Sequence, residues 1–231
     1  MKRLFTNNIN TSVSKIYCLW SFLSVLFALL VSKNLEENIT RISVILFLIV
    51  QIITLDYIKK ISFIKSQKNR FIFTGTILAI FVEGFHMIST PVFSSLKVDF
   101  NMSILKILQN YFIDLIFTIP AYLIIFSVIW YFINKYSYSL WDYIIVFGLS
   151  QCLGDGGIFY FIISPFMILF LPYPMTNYHA MNIIPFLLVK DDLKHNNEKK
   201  LMRYIAIPAV ILTYLICGAI IKYFGYLNGF N

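Results

Sequence analysis

FIFTGTILAIFVEGFHMISTPVF, residues 71–93, is an apolar run long enough to cross the hydrocarbon of a bilayer, which takes a helix of about 20 residues at about 1.5 Å each. Glu83 and His86 stand in its midst, three residues apart and therefore on one helix face. A titratable group at that depth costs at least a few kcal/mol, so such groups turn toward a bundle interior and mark functional positions.

The rest of the chain has the same character. Of its 231 residues 59% are hydrophobic and 18% aromatic, and only 13% are charged, against roughly a quarter in an ordinary soluble domain. This is the composition of a polytopic, all-α membrane helix bundle. No polar stretch between the apolar runs exceeds about fifteen residues, too few to bury a core of its own, so residues 1–231 read as a single transmembrane domain. The net charge of +8 is concentrated in short loops beside apolar segments, where cations orient a membrane protein; no nucleic-acid partner is expected. Cys18, Cys152 and Cys217 lie inside apolar runs without CxxC spacing and read as packing residues. The basic start leads into an apolar stretch with no small-residue cleavage site, which predicts a retained first helix.

Six apolar runs are clear: 13–32, 42–58, 71–93, 104–132, one beginning at Leu140, and 204–223. Residues 140–189 are apolar almost throughout and would make a straight helix of roughly 75 Å, more than two bilayers' worth of hydrocarbon. Loop charge resolves the count. Lys59, Lys60, Lys65, Lys68 and Arg70 form one basic loop, and Lys190, Lys194, Lys199, Lys200 and Arg203 a second, so both are expected in the cytoplasm. An even number of crossings must then separate Lys135 from Lys190. Two give about seven transmembrane helices in a multi-pass cell-membrane protein, with a cytoplasmic amino terminus and the loop of Glu36 and Glu37 outside. Gly154-Asp155-Gly156-Gly157 is where the overlong segment is expected to break, because consecutive glycines lose most from helix formation, with Pro172 and Pro174 making the outer turn. A re-entrant hairpin over 153–175 is the alternative geometry. Broken helices of this kind line binding sites, since only protein or a wet cavity can satisfy their amides.

Depth brings the polar residues to one layer. Glu83 and His86 lie roughly 18 and 22 Å from the cytoplasmic start of the third span, and Asp114 about 15 Å from the outer end of the fourth. Gln151 and Asp155 sit about as deep in the fifth, and Asn177, His179 and Asn182 open the sixth from outside. The expected site is therefore a polar pocket in the outer half of the membrane, with Glu83, His86, Asp114, Asp155 and His179 as catalytic candidates and Gln151, Asn177 and Asn182 as substrate-binding ones. Each also has a structural alternative: a helix cap for Asp155, an interfacial position for His179, and a helix–helix hydrogen bond for Asp114. Asp56, Asp142 and His195 lie near the basic loops and are expected to be solvated.

Several chemistries fit such a pocket. Glu83, His86, Asp155 and His179 would suit zinc or iron, although the paired Glu-x-x-His motifs of di-iron bundles are not repeated here. Ile113-Asp114 with Pro120, followed by Leu153-Gly154-Asp155, resembles the pattern of the GxGD-type intramembrane aspartyl proteases, which include the prepilin peptidases. That resemblance implies two aspartates sharing one proton, one activating water and the other protonating the leaving group. Cys152 replaces the motif's first glycine, and the family's cytoplasmic placement of the pair conflicts with an outer-half site. A proton-coupled transporter of a small solute could use Glu83, His86 and Asp155 as a relay, and a structural subunit could use all of them to register helices. The leading expectation is an enzyme, hydrolytic or metal-dependent, acting on a lipidic or amphiphilic molecule among membrane lipids.

Overall fold

Apolar sequence and well-placed caps set the helices of this computed structural model, which describes residues 12–61, 64–193 and 200–230. Lys194, His195 and Lys199 of the second basic loop, and the start of the chain through residue 11, lie outside the described residues. Helix α1 (Ser12–Val31) and helix α2 (Leu35–Ile61) meet at a short turn, where Asn34 Oδ1 accepts from the Glu37 amide at 3.2 Å. Ser66 caps α3 (Gln67–His86), and Ser103 caps α4 (Ile104–Lys135). Ser139 and Asp142 form a capping box at the start of α5 (Leu140–Cys152). A kink at Leu153–Gly157 leads into α6 (Ile158–Ile163) and a 3-10 segment, Pro165–Phe170. Helices α7 (Pro172–Val189) and α8 (Ala206–Leu227) complete the bundle, and no strand occurs among the described residues.

Five segments are long and apolar enough to cross a membrane: Ser14–Val31, Leu35–Lys60, Ile104–Lys135, Leu140–Ile163 and Leu201–Leu227. The sequence count was about seven; α3 and α7 fall outside this set. α7 is the most thoroughly buried helix among the described residues, whereas α3 keeps Phe73, Ile77 and Phe81 about half exposed. α7 packs against α3, α5, α2 and α1, while α4 packs against α3 and α8. Side chains follow an inside-out rule expected in lipid: Asp114 and Gln151 have no exposed surface, whereas Leu105 is 80% and Ile163 82% exposed.

Ion pairs mark the two ends. Arg70 meets Asp192 at 2.6 Å and Arg203 meets Asp142 at 3.2 Å, so both basic loops share one end of the bundle, as their charge implied. At the other end Lys97 pairs with Glu36 at 2.5 Å, tying the α1–α2 turn to the α3–α4 loop.

Two local expectations need correction. The 71–93 run does not stay helical: α3 stops at His86, the amides of Ser89 and Thr90 both turn back to the His86 carbonyl, and Pro91 supplies no donor to continue. Pro172 and Pro174 do not form the outer turn either. They occupy the first turn of α7, where a missing N–H costs nothing, and the reversal falls at Ser164 instead. The break at the glycines is where expected: Asp155 leaves helical geometry (φ −82°, ψ 32°), and Gly156 takes φ 95°, a left-handed value that a side chain resists.

Candidate functional site

A cavity of about 800 Å³ lies between the end of α1, the start of α2, the end of α3, the 153–157 kink and the start of α7. That volume is in the range of small-molecule sites. Its walls combine two chemistries. Phe27, Phe161, Met167 and Phe170 are apolar, with the Phe27 and Phe170 rings stacked at 4.9 Å, and Arg41, Glu83, His86, Asp155 and Asn177 are polar or charged.

Helix geometry aims these groups. On α3, Glu83 and His86 share a face by their i, i+3 spacing and both line the cavity. The Tyr122 hydroxyl of α4 donates to the Glu83 carboxylate. Asp155 is carried inward by the non-helical turn, and the Tyr178 hydroxyl donates to it at 2.6 Å. Each carboxylate therefore has its own phenol, and the two lie within electrostatic reach of one another. His86 pairs through Nδ1 with the Thr90 hydroxyl at 2.9 Å, with Asn177 beside it.

α7 presents two stripes. Pro174, Asn177, Tyr178 and Met181 recur at i, i+3, i+4 and i+7 and face the cavity. Met175, His179 and Asn182 form a second stripe about 100° round the helix and do not line the cavity. His179 Nε2 lies 2.7 Å from the Tyr17 hydroxyl of α1, against Gly148 of α5, where an added Cβ would come within 2.5 Å of the imidazole. Asn182 Nδ2 donates to Gln151 Oε1, and Gln151 in turn donates to the Tyr214 hydroxyl of α8 at 3.0 Å. Asp114 serves a loop: its Oδ1 accepts from the Val92 amide at 3.1 Å, while Asn110 donates to the Leu96 carbonyl at 3.2 Å. Of the eight residues expected at a site, the cavity thus gathers Glu83, His86, Asp155 and Asn177, and leaves Asp114, Gln151, His179 and Asn182 in packed helix contacts.

The expected metal set is not assembled. Among the described residues no three His, Cys, Asp or Glu side chains group closely enough to hold an ion, because His179 points to the far side of α7 from His86. The aspartate pair fares similarly: Asp114 lines no cavity wall shared with Asp155, and Glu83 takes its place.

Arg41 was not anticipated. The sequence reading began the second span at Ile42, whereas α2 begins at Leu35, so Arg41 is a buried helical residue, 6% exposed. Its recoverable signal is the i, i+4 spacing from Glu37 on a helix extended by one and a half turns.

A second cavity of about 280 Å³ lies between α4 and α8. Glu83, Thr90, Tyr122 and Asp155 form walls of both cavities, and Lys222 reaches the smaller one. No known protein family, curated protein or solved structure matches this chain. Its geometry is the basis for assigning a role.

Proposed function

We propose that this integral membrane protein binds an amphiphilic, lipid-like molecule in the larger cavity and performs acid–base chemistry on it through Glu83 and Asp155. α3 and α7 count as crossings in this proposal, which brings the total to seven; their polar faces turn inward, so they need less apolarity than a lipid-facing span. The amino terminus and both basic loops then face the cytoplasm of a cell-membrane protein, and the cavity opens in the outer half.

The observation that carries the proposal is one cavity whose lining combines aromatic and thioether side chains with two phenol-held carboxylates. A carboxylate accepting from a phenol can take a proton from a nucleophile, and its neighbour can return one to a leaving group. His86, bonded to Thr90, is placed to orient a polar group of the substrate.

Protein purified in a non-ionic detergent tests this directly, by binding of a fluorescent single-chain amphiphile and by mass-spectrometric search for products in a lipid extract. Ala28→Trp, which fills the cavity, is expected to weaken amphiphile binding at least about tenfold. Glu83→Gln and Asp155→Asn are expected to abolish product formation with binding retained. Absence of amphiphile binding, or binding indifferent to Ala28→Trp, would overturn the proposal.

A second reading has its own support. The shared wall between the cavities, with Lys222 beyond it, is the arrangement of a relay across a barrier. A proton-coupled carrier would yield no product, and vesicle uptake dependent on Glu83 would select it.

A further inference from the structure

Among the described residues Arg41 is a buried cation without an ion pair. Its Nη1 donates to the Tyr173 carbonyl at 3.1 Å, the Thr176 hydroxyl at 3.4 Å and Asn177 Oδ1 at 2.6 Å, all uncharged acceptors. The guanidinium lies 3.9 Å from the centre of the Tyr173 ring, which holds its plane. Glu37, one turn earlier on α2, lines the same cavity and makes no ion pair with Arg41; its carboxylate accepts from the Tyr173 hydroxyl at 2.9 Å. Among the described residues Arg41 forms no ion pair, and Nε is buried without a partner. The guanidinium therefore lines the cavity with no carboxylate partner among the described residues, its Nε enclosed in the wall.

The neighbouring carboxylates do not fill this role. Glu83 accepts from Tyr122 and Asp155 from Tyr178, and neither forms an ion pair with Arg41. A buried charge without an ion pair is costly, and a cation in a cavity wall is satisfied by a ligand that brings the opposite charge.

We infer that the molecule bound in the larger cavity carries an anionic oxygen headgroup, a phosphate or a carboxylate, which docks on the Arg41 guanidinium while its hydrocarbon lies against Phe27, Phe161, Met167 and Phe170. This rests on the amphiphile-binding role proposed above and fixes the sign of the ligand's charge. The headgroup pairs with Arg41, and the bond to be made or broken next to it is presented to Glu83 and Asp155.

Three single-chain probes of equal length test it in non-ionic detergent: an alkyl phosphate, a fatty carboxylate and the corresponding neutral alcohol, each displacing a fluorescent amphiphile from wild type, Arg41→Gln and Arg41→Lys. At least one anionic probe is expected to bind wild type about tenfold or more tighter than the alcohol, as charge-assisted hydrogen bonds imply, and the stronger of the two identifies the headgroup. Arg41→Gln is expected to bring the anion-to-alcohol ratio toward one, and Arg41→Lys to restore part of it, since an ammonium keeps the charge without the fork. Equal affinity of all three probes for wild type, or a ratio unchanged in Arg41→Gln, overturns the anionic headgroup and leaves the amphiphile site standing. Failure of all three to bind overturns both. A ratio is read within each variant, so a loss of stability in Arg41→Gln does not disguise the outcome.

Discussion

Two sets of polar side chains lie deep in this bundle and differ in what they face. Glu83, Asp155, His86 and Asn177 border open space, and each carboxylate keeps its phenol donor on one flank only. Gln151, Asn182 and Tyr214 bond to one another across α5, α7 and α8, and His179 bonds to Tyr17 between α7 and α1; the imidazole and the two amides line neither cavity. The residue types overlap, so polar character within an apolar run does not separate a site from a rivet. What separates them is whether the side chain borders one of the cavities or is held only between helices.

That contrast can be broken by mutation. The largest effect belongs to the cavity set: Glu83→Gln and Asp155→Asn are each expected to lower turnover of a lipid substrate by about 10² to 10⁴, with little change in the unfolding midpoint, as read by product formation beside thermal unfolding in detergent. The packed set should behave in the opposite way. Asn182→Leu strands the Gln151 carbonyl and is expected to cost about 2 kcal/mol in denaturant unfolding, with amphiphile affinity of the folded protein unchanged. Gly148→Ala drives a methyl into His179 and is expected to cost about 1–3 kcal/mol, most of it recovered in the Gly148→Ala, His179→Ala double variant. Smallest is Tyr17→Phe, which removes one interhelical hydrogen bond and is expected to cost about 1 kcal/mol or less. If Asn182→Leu removed binding, or Glu83→Gln removed only stability, the division drawn here would fail.

The membrane class, the helical fold, the break at Gly154–Gly157 and the common end of the two basic loops were legible because they depend on composition, length and charge along the chain. The direction a side chain points was only partly so. Glu83 and His86 are one turn apart on one helix, so spacing sufficed to place them together. Asn177 and His179 are two residues apart, about 200° around a helix, and so cannot face the same neighbour. Which of them meets the cavity depends on where α1 and α2 sit beside α7, and local sequence does not encode that. Asp114 shared the right level and still served a loop, because the α3–α4 connection folds back over it through Val92. Arg41 was lost through a boundary: beginning the second span at Ile42 left it in a loop that is in fact helix. The Leu140–Val189 stretch resisted parsing because α6 and the 3-10 segment after it are as apolar as a span and far shorter than one.

The modest apolarity of α3 and α7 has a consequence for how the protein is made. A segment that carries Glu83 and His86 gains little on its own by leaving the translocon for lipid, and its chief neighbour, α7, has not yet been synthesised when α3 emerges from the ribosome. In the seven-crossing arrangement proposed above, assembly is partly post-insertional: α2 and α4 shelter α3 until α7 arrives and closes over it. Chains truncated ahead of Pro172 are accordingly the ones that membrane quality control should clear first.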